Sequence, residues 1–198
     1  MATRYKIVHI MATAGGVVGG LEKHTLELCA ALARKHEVHL LADRAYQGVC
    51  HKRIHFHAIN FEKSRWNPLL YWQIAHTINQ IQPHIVHAQA GKAASIVRWL
   101  KWLFRHIKFV ATVHGTKKDI NAYAAMDGVI TVSQQLAEAF GNHPHLKVIY
   151  NGARSSQKLN GRERKLLRAE LLAAEDLPIV MAVGRLAPVK AFDVLLKA

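Results

Sequence analysis

Short apolar runs alternate with helix-period segments along most of this 198-residue chain, and that alternation restricts the fold more than any other feature. Strands are predicted over Tyr5–Met11 (YKIVHIM), Glu37–Ala42 (EVHLLA), Arg53–Ile59 (RIHFHAI), His84–Ala88, Lys108–Val113 (KFVATV), Gly128–Val132 (GVITV) and Lys147–Tyr150. Helices are predicted over Leu21–Lys35, Leu69–Ile81, Lys92–His106 and Gln134–Phe140. Leu21, Thr25, Leu28 and Leu32 supply the helical spacing of the first. Pro68 sits at the start of the second, where a missing N–H does no harm. The βαβ alternation predicts an α/β fold: a Rossmann-like parallel sheet with helices on both faces. Strands that read as near-continuous apolar runs fit a sheet covered on both sides.

The pattern changes after residue 150. Asn151–Asn160 (NGARSSQKLN) is polar and turn-rich, as linkers are. A helix is predicted over Arg162–Ala174, a buried strand over Pro178–Gly184 (PIVMAVG), and a further helix over Val189–Ala198. One strand and one helix cannot bury their own apolar faces. The expected organisation is therefore a domain over 1–152, a linker and connecting helix over 153–177, and the truncated start of a second domain over 178–198. An apolar fraction of 51% excludes disorder. Cys29 and Cys50 are too few for a disulfide scaffold and suit a reducing compartment. No window approaches the roughly 18 apolar residues of a membrane span, and the N-terminus lacks a signal-peptide core, so a cytoplasmic location is expected.

The formal charge of +14 is unevenly placed. Residues 51–120 carry 11 basic and 2 acidic groups, or +9, and the rest of the chain carries +5. One basic segment suggests docking on an anionic surface. Its densest part, Lys92–Lys108 (KAASIVRWLKWLFRHIK), interleaves cations with Trp99, Trp102 and Phe104. A basic amphipathic helix with tryptophans suits an anionic membrane interface, which makes Arg98, Trp99, Lys101, Trp102 and Arg105 the membrane-facing candidates. An ordinary solvated face on a helix packed against the sheet is an equal reading. A nucleic-acid-binding module using 51–120 is the alternative partner class, although no RNP-type strand, zinc finger or helix-turn-helix pattern accompanies it.

Several loops carry residues with chemistry. Thr13–Glu22 (TAGGVVGGLE) joins a strand to a helix, where glycines let backbone N–H groups approach an anion. It is not a G-x-G-x-x-G fingerprint, because Val17 holds the second glycine's place, nor a P-loop, because Leu21 follows Gly20. His114 and Gly115 close one strand and His87 closes another, where open α/β sheets place ligand-contacting groups. His9 lies inside the first strand and reads as structural. Ser133 reads as a helix N-cap, since no G-x-S-x-G elbow surrounds it. Gly184-Arg185-Leu186-Ala187-Pro188-Val189-Lys190 offers an arginine fork, a lysine point charge and a helix start, a combination suited to a diphosphate. No metal-ligand spacing occurs, and no metal is expected.

In order along the chain, Gly19-Gly20-Leu21-Glu22-Lys23-His24, Ile85-Val86-His87-Ala88, Thr112-Val113-His114-Gly115, Val132-Ser133, Val148-Ile149-Tyr150-Asn151-Gly152 and Val183-Gly184-Arg185-Leu186 with Lys190 resemble glycosyltransferase family 4. These are retaining enzymes of the GT-B fold, with two Rossmann-like domains flanking a cleft. The resemblance implies transfer of a sugar from a UDP- or GDP-linked donor to a glycan acceptor, lipid-linked or of lipopolysaccharide type, with no cofactor. It implies Gly16, Arg185 and Lys190 at the donor diphosphate, and His114 as the catalytic residue contacting the transferred sugar. Gly15, His87 and Gly115 are the remaining sugar or acceptor contacts. Three positions depart from the family pattern: Arg154 stands where an acidic residue is usual, and Val189 and Ala191 replace the glutamate and glycine beside the clamp lysine. The family's acidic donor motif lies beyond Ala198, so the fragment by itself is expected to be inactive. A nucleotide-sugar epimerase shares the architecture and is the alternative enzyme class.

Overall fold

The computed structural model of the chain describes residues 3–15, 17–115, 120–141, 143–152, 158–171, 178–184 and 186–197. The chain divides into two compact units, 1–152 and 153–198.

The first unit is built on β1 (Lys6–Met11), β2 (Glu37–Ala42), β3 (His55–Ala58), β4 (Ile85–Gln89), β5 (Lys108–Val113), β6 (Gly128–Thr131) and β7 (Leu146–Val148). They form one parallel sheet in the order β3-β2-β1-β4-β5-β6-β7. Helices α1 (Gly20–Leu32), α2 (Pro68–Ile81), α3 (Ala90–Leu100), α4 (Asn121–Ala124) and α5 (Gln134–Glu138) make or flank the crossovers. The α/β Rossmann-like expectation is met.

Side chains alternate across each strand, so the two sheet faces have separate cores. Val8, Ile10, Val86, Ala88, Phe109 and Ala111 point into the larger one, against Leu70, Ile74 and Ile78 of α2 and Ala93, Ile96 and Val97 of α3. Met11, Leu40 and Ala42 point the other way, toward Cys29 of α1 and Tyr46. Local chemistry sets the helix starts. The Asn67 side chain accepts from the Leu69 and Leu70 amides ahead of Pro68. Ser133 accepts from the Leu136 amide at 3.3 Å, the capping role expected of it.

Two differences from expectation bear on the site and the second unit, and the helix expected over Val189–Ala198 is shorter, Phe192–Leu195. The helix predicted over Lys92–His106 stops at Leu100. The Leu103 and Phe104 amides turn back onto the carbonyls of Leu100 and Lys101, and the Phe104 and Ile107 side chains are buried. A helix continued to residue 106 would not return the chain to start β5 at Lys108. Trp102 and Arg105 therefore lie in a turn rather than on an amphipathic helix. In the second unit the described elements are α6 (Gly161–Glu170), a short 3-10 turn at Pro188–Lys190 and α7 (Phe192–Leu195). The strand predicted over Pro178–Gly184 does not form, and Val180 and Val183 are 79% and 88% exposed. An extended segment becomes a strand by ladder bonding to a neighbour, and no strand is described in this unit.

Candidate active site

The strand order reverses direction at β1 and β4. In open parallel sheets the crevice beyond the carboxyl ends of such a pair is where ligands bind. Register brings four polar side chains together beneath this crevice, on the face opposite the larger core. His9 of β1 pairs with His87 of β4, and Gln89 of β4 pairs with Thr112 of β5. His114 follows β5 by one residue, on the same side as Thr112. His24 reaches in from α1, its ring 4.8 Å from that of His114.

Gln89 joins these groups. Its Oε1 lies 2.9 Å from His114 Nε2, and its Nε2 lies 3.4 Å from His9 Nδ1 and 3.5 Å from His87 Nε2. With the amide in this orientation, His114 Nε2–H donates to Gln89, and the amide N–H groups donate to His9 and His87. The Thr112 hydroxyl, at 2.7 Å, is the nearer partner of His87 Nε2. His114 is left with an unprotonated Nδ1, an acceptor for a ligand hydroxyl.

Every ring in the group is held neutral near pH 7. Burial pushes His9 down to about 4, with a smaller push from His24. Burial and then His24 push His114 down to about 4, against an opposing pull from Glu22. Burial holds His87 well below the ordinary imidazole range and also lowers His24. The edge is thus an uncharged hydrogen-bonding cradle. It can exchange hydrogen bonds with ligand hydroxyls and brings no positive charge of its own.

The loop after β1 forms one wall. Gly15 packs so closely that a Cβ there would stand 3.0 Å from Ala45 Cβ and 3.0 Å from Asp43 Oδ1. Asp43 is itself engaged, accepting from the Ala45 amide. At the start of α1, the Gly19 amide donates to Glu22 Oε2 at 3.0 Å, so a carboxylate already occupies part of that helix end. His87 is 7% exposed and held by Thr112 and Gln89, so it reaches a ligand only through Gln89. Gly115 has open space around its Cα. Gly16 and Arg185 lie outside the described residues. Lys190 ends the 3-10 turn of the second unit, and its stem lies against Gly184, where a Cβ would stand 3.6 Å from Lys190 Cγ.

The proposed membrane-facing residues divide. Arg98, Trp99, Trp102 and Arg105 are exposed. Lys101 is committed to structure: its Nζ lies 2.7 Å from Asp127 Oδ1 and 3.0 Å from the Ala125 carbonyl. Because all strands are parallel, Trp102 and Arg105, just before β5, lie at the amino edge of the sheet, opposite the edge that carries His114. No helix among the described residues is long and apolar enough to cross a membrane.

Sequence comparison decides the family. The family model of Glycosyltransferase Family 4 matches residues 18–157. The chain belongs to that family. No curated protein matches the sequence. Among solved structures, Anabaena Alr3699/HepE in complex with UDP and glucose superimposes at a TM-score of 0.72 and 20% identity, covering 98% of this chain and 57% of that one. A glycosyltransferase from Rickettsia africae ESF-5 gives 0.66 and 18%, covering 89% and 52%. The apo form of the lipopolysaccharide outer core galactosyltransferase WaaB gives 0.59 and 14%, covering 77% and 47%. At these identities the likeness is one of fold, and the chain spans about half the length of each. Within this family 4 chain, Gln89 and His24 are the site residues that sequence reasoning passed over as contacts. The i, i+2 spacing of His87 and Gln89 does place both on one strand face. Nothing in the sequence reports that β1 and β5 bring His9 and His114 to the same face.

Proposed function

We propose that the protein transfers a sugar, with retention of configuration, from a UDP- or GDP-linked donor to a lipid-linked or lipopolysaccharide-type glycan. The observation that carries this reading is the neutral His114–Gln89 pair at the β1–β4 crevice, in a family 4 chain. Breaking a sugar–phosphate bond develops positive charge on the sugar and negative charge on the phosphate. A neutral His114 accepting a sugar hydroxyl positions the ring without adding a repelling cation beside the developing oxocarbenium. Arg185 and Lys190 supply the positive charge at the diphosphate, with Gly16 of the β1 loop beside it. Gly15 and Gly115 shape the approach to the sugar, and His87 steadies Gln89 from below. The fold of HepE, which was solved with UDP-glucose, supports the donor class. The reaction is proposed for the cytoplasmic face of a membrane, with the exposed cations and tryptophans facing anionic lipid.

The test, run on a protein that carries both domains because residues 1–198 alone are expected to be inactive, is nucleotide release from UDP- and GDP-sugars in the presence of a bacterial glycolipid extract, with the linkage of the product read by NMR. Transfer with the donor's anomeric configuration, lost in His114→Ala and Lys190→Ala, is expected. Inversion at the anomeric carbon, or release of an epimerised free sugar nucleotide, overturns the reading.

A further inference from the structure

All four tryptophans of the chain are more than half exposed: Trp66 66%, Trp72 61%, Trp99 53% and Trp102 77%. Indole is among the side chains that gain most from leaving water, so exposing every copy on two neighbouring helices and their flanking turns calls for a partner. Two of the four wall a small pocket of about 120 Å³, together with Arg65, Tyr71, Ser95 and Arg98. It lies between the loop entering α2 and the last turn of α3.

The pocket's chemistry is specific. The Arg65 guanidinium carbon sits 5.5 Å from the centre of the Trp66 ring, and that of Arg98 sits 5.6 Å from the centre of the Trp99 ring. Each cation rests against an indole and is held near the surface. Neither arginine forms an ion pair among the described residues. The carboxylate of the adjoining groove, Asp127, is taken by Lys101. Two guanidiniums without a carboxylate partner among the described residues, in a pocket also lined by Ser95 and Tyr71, form a donor set for phosphate oxygens, since guanidinium forks match phosphate geometry. The flanking indoles are the residues that settle at the level of lipid headgroups.

We propose that this pocket binds the phosphate of an anionic phospholipid headgroup, with Arg65 and Arg98 gripping the phosphate and Trp66 and Trp99 seated among the adjacent headgroups. This rests on the membrane-facing part of the function proposed above and not on sugar transfer. It extends the docking surface from Arg98 and Trp99 to Arg65 and Trp66 beside α2, and leaves out Lys101, which is held by Asp127.

Vesicle co-sedimentation at 0.1 M salt tests it, using phosphatidylcholine with and without 30% phosphatidylglycerol. The chain should partition onto the anionic vesicles and not the neutral ones. Arg65→Ala with Arg98→Ala should weaken partitioning at least tenfold. Arg34→Ala with Lys35→Ala removes the same charge from exposed positions elsewhere and should weaken it less than threefold. Vesicles with brominated acyl chains should quench the indole emission, and Trp66→Phe with Trp99→Phe should remove most of that quenching. Equal losses in the two double-alanine variants would reduce the effect to net charge and overturn the proposal. So would equal binding to neutral vesicles, absence of quenching, or displacement by millimolar glycerol phosphate with no preference for vesicles. Nucleotide release reads the transferase reaction separately, so the failure of either reading is visible without the other.

Discussion

Lowering the pH from 7 to 5 should cost the fold about 2 kcal/mol through His9 alone. The His9 ring is fully buried and its Nε2 has no hydrogen-bond partner among the described residues. Burial holds its folded pKa at about 4, against 6.5 in the unfolded chain. A base depressed by folding is neutral in the native state and protonated once unfolded. The unfolded chain then binds the extra proton, so stability falls as pH drops below 6.5 and levels off below about 4. The full window is worth on the order of 3 kcal/mol, and about 2 kcal/mol of it has been lost by pH 5. Urea unfolding followed by circular dichroism at pH 7, 6 and 5 reads this directly, with His9→Asn as comparison. The variant is less stable throughout, because it gives up packing, but its residue 9 does not titrate. The signal is the difference in slope: the parent should lose about 2 kcal/mol more than the variant between pH 7 and 5. The other histidines of the crevice titrate in both proteins, and the largest cause of their shifts, burial, is common to both. Parallel curves would refute the reasoning, since they would mean that His9 is hydrated or already protonated in the folded chain.

Three further outcomes follow from particular contacts. Gln89→Leu removes the partner of His114 Nε2 and His9 Nδ1; it should cost about 1–3 kcal/mol in thermal unfolding and raise KM for the donor sugar more than it lowers kcat. Asp127→Asn loses the ion pair with Lys101 and weakens the bond to the Phe109 amide; a loss of about 1–2 kcal/mol is expected at pH 7. The Lys101 contact and the Phe109 amide hold the Asp127 carboxyl below its usual range, so that loss should shrink as acid protonates the parent's carboxylate. Gly15→Ala presses a methyl to within 3.0 Å of Ala45 Cβ and Asp43 Oδ1; a loss of about 1–3 kcal/mol, read by thermal unfolding, should accompany weaker donor binding.

The strands and principal helices of the first unit were legible because their information is local. Alternating apolar runs and a proline or asparagine at a helix start need no distant partner to be read. Glu37–Ala42 and Lys108–Val113 form as expected to the residue. The helix over Lys92–His106 was overestimated because its periodicity continues past Leu100, while the need to bury Phe104 and Ile107 and to begin β5 ends it there. The Pro178–Gly184 run has strand composition, yet composition supplies no ladder partner. His114 stands out in the sequence from its place at a strand end. Gln89 was missed because a glutamine in IVHAQ carries no signal of its own.

The order of residues was sufficient to establish an α/β sheet, the family, and the concentration of positive charge in 51–120, since periodicity, motif order and charge are properties of the linear chain. Protonation states and partners were decided in three dimensions. A neutral His114 depends on burial and on His24 from α1, and its hydrogen bonding depends on Gln89 from a neighbouring strand, groups separated from it by 90 and 25 positions in the chain. The basic segment likewise resolved only on folding, into Lys101 locked to Asp127 and Arg65 and Arg98 left without carboxylates beside exposed indoles. Desolvation and pairing arise from what packs against a group, and in a parallel sheet those neighbours come from strands that the sequence keeps far apart.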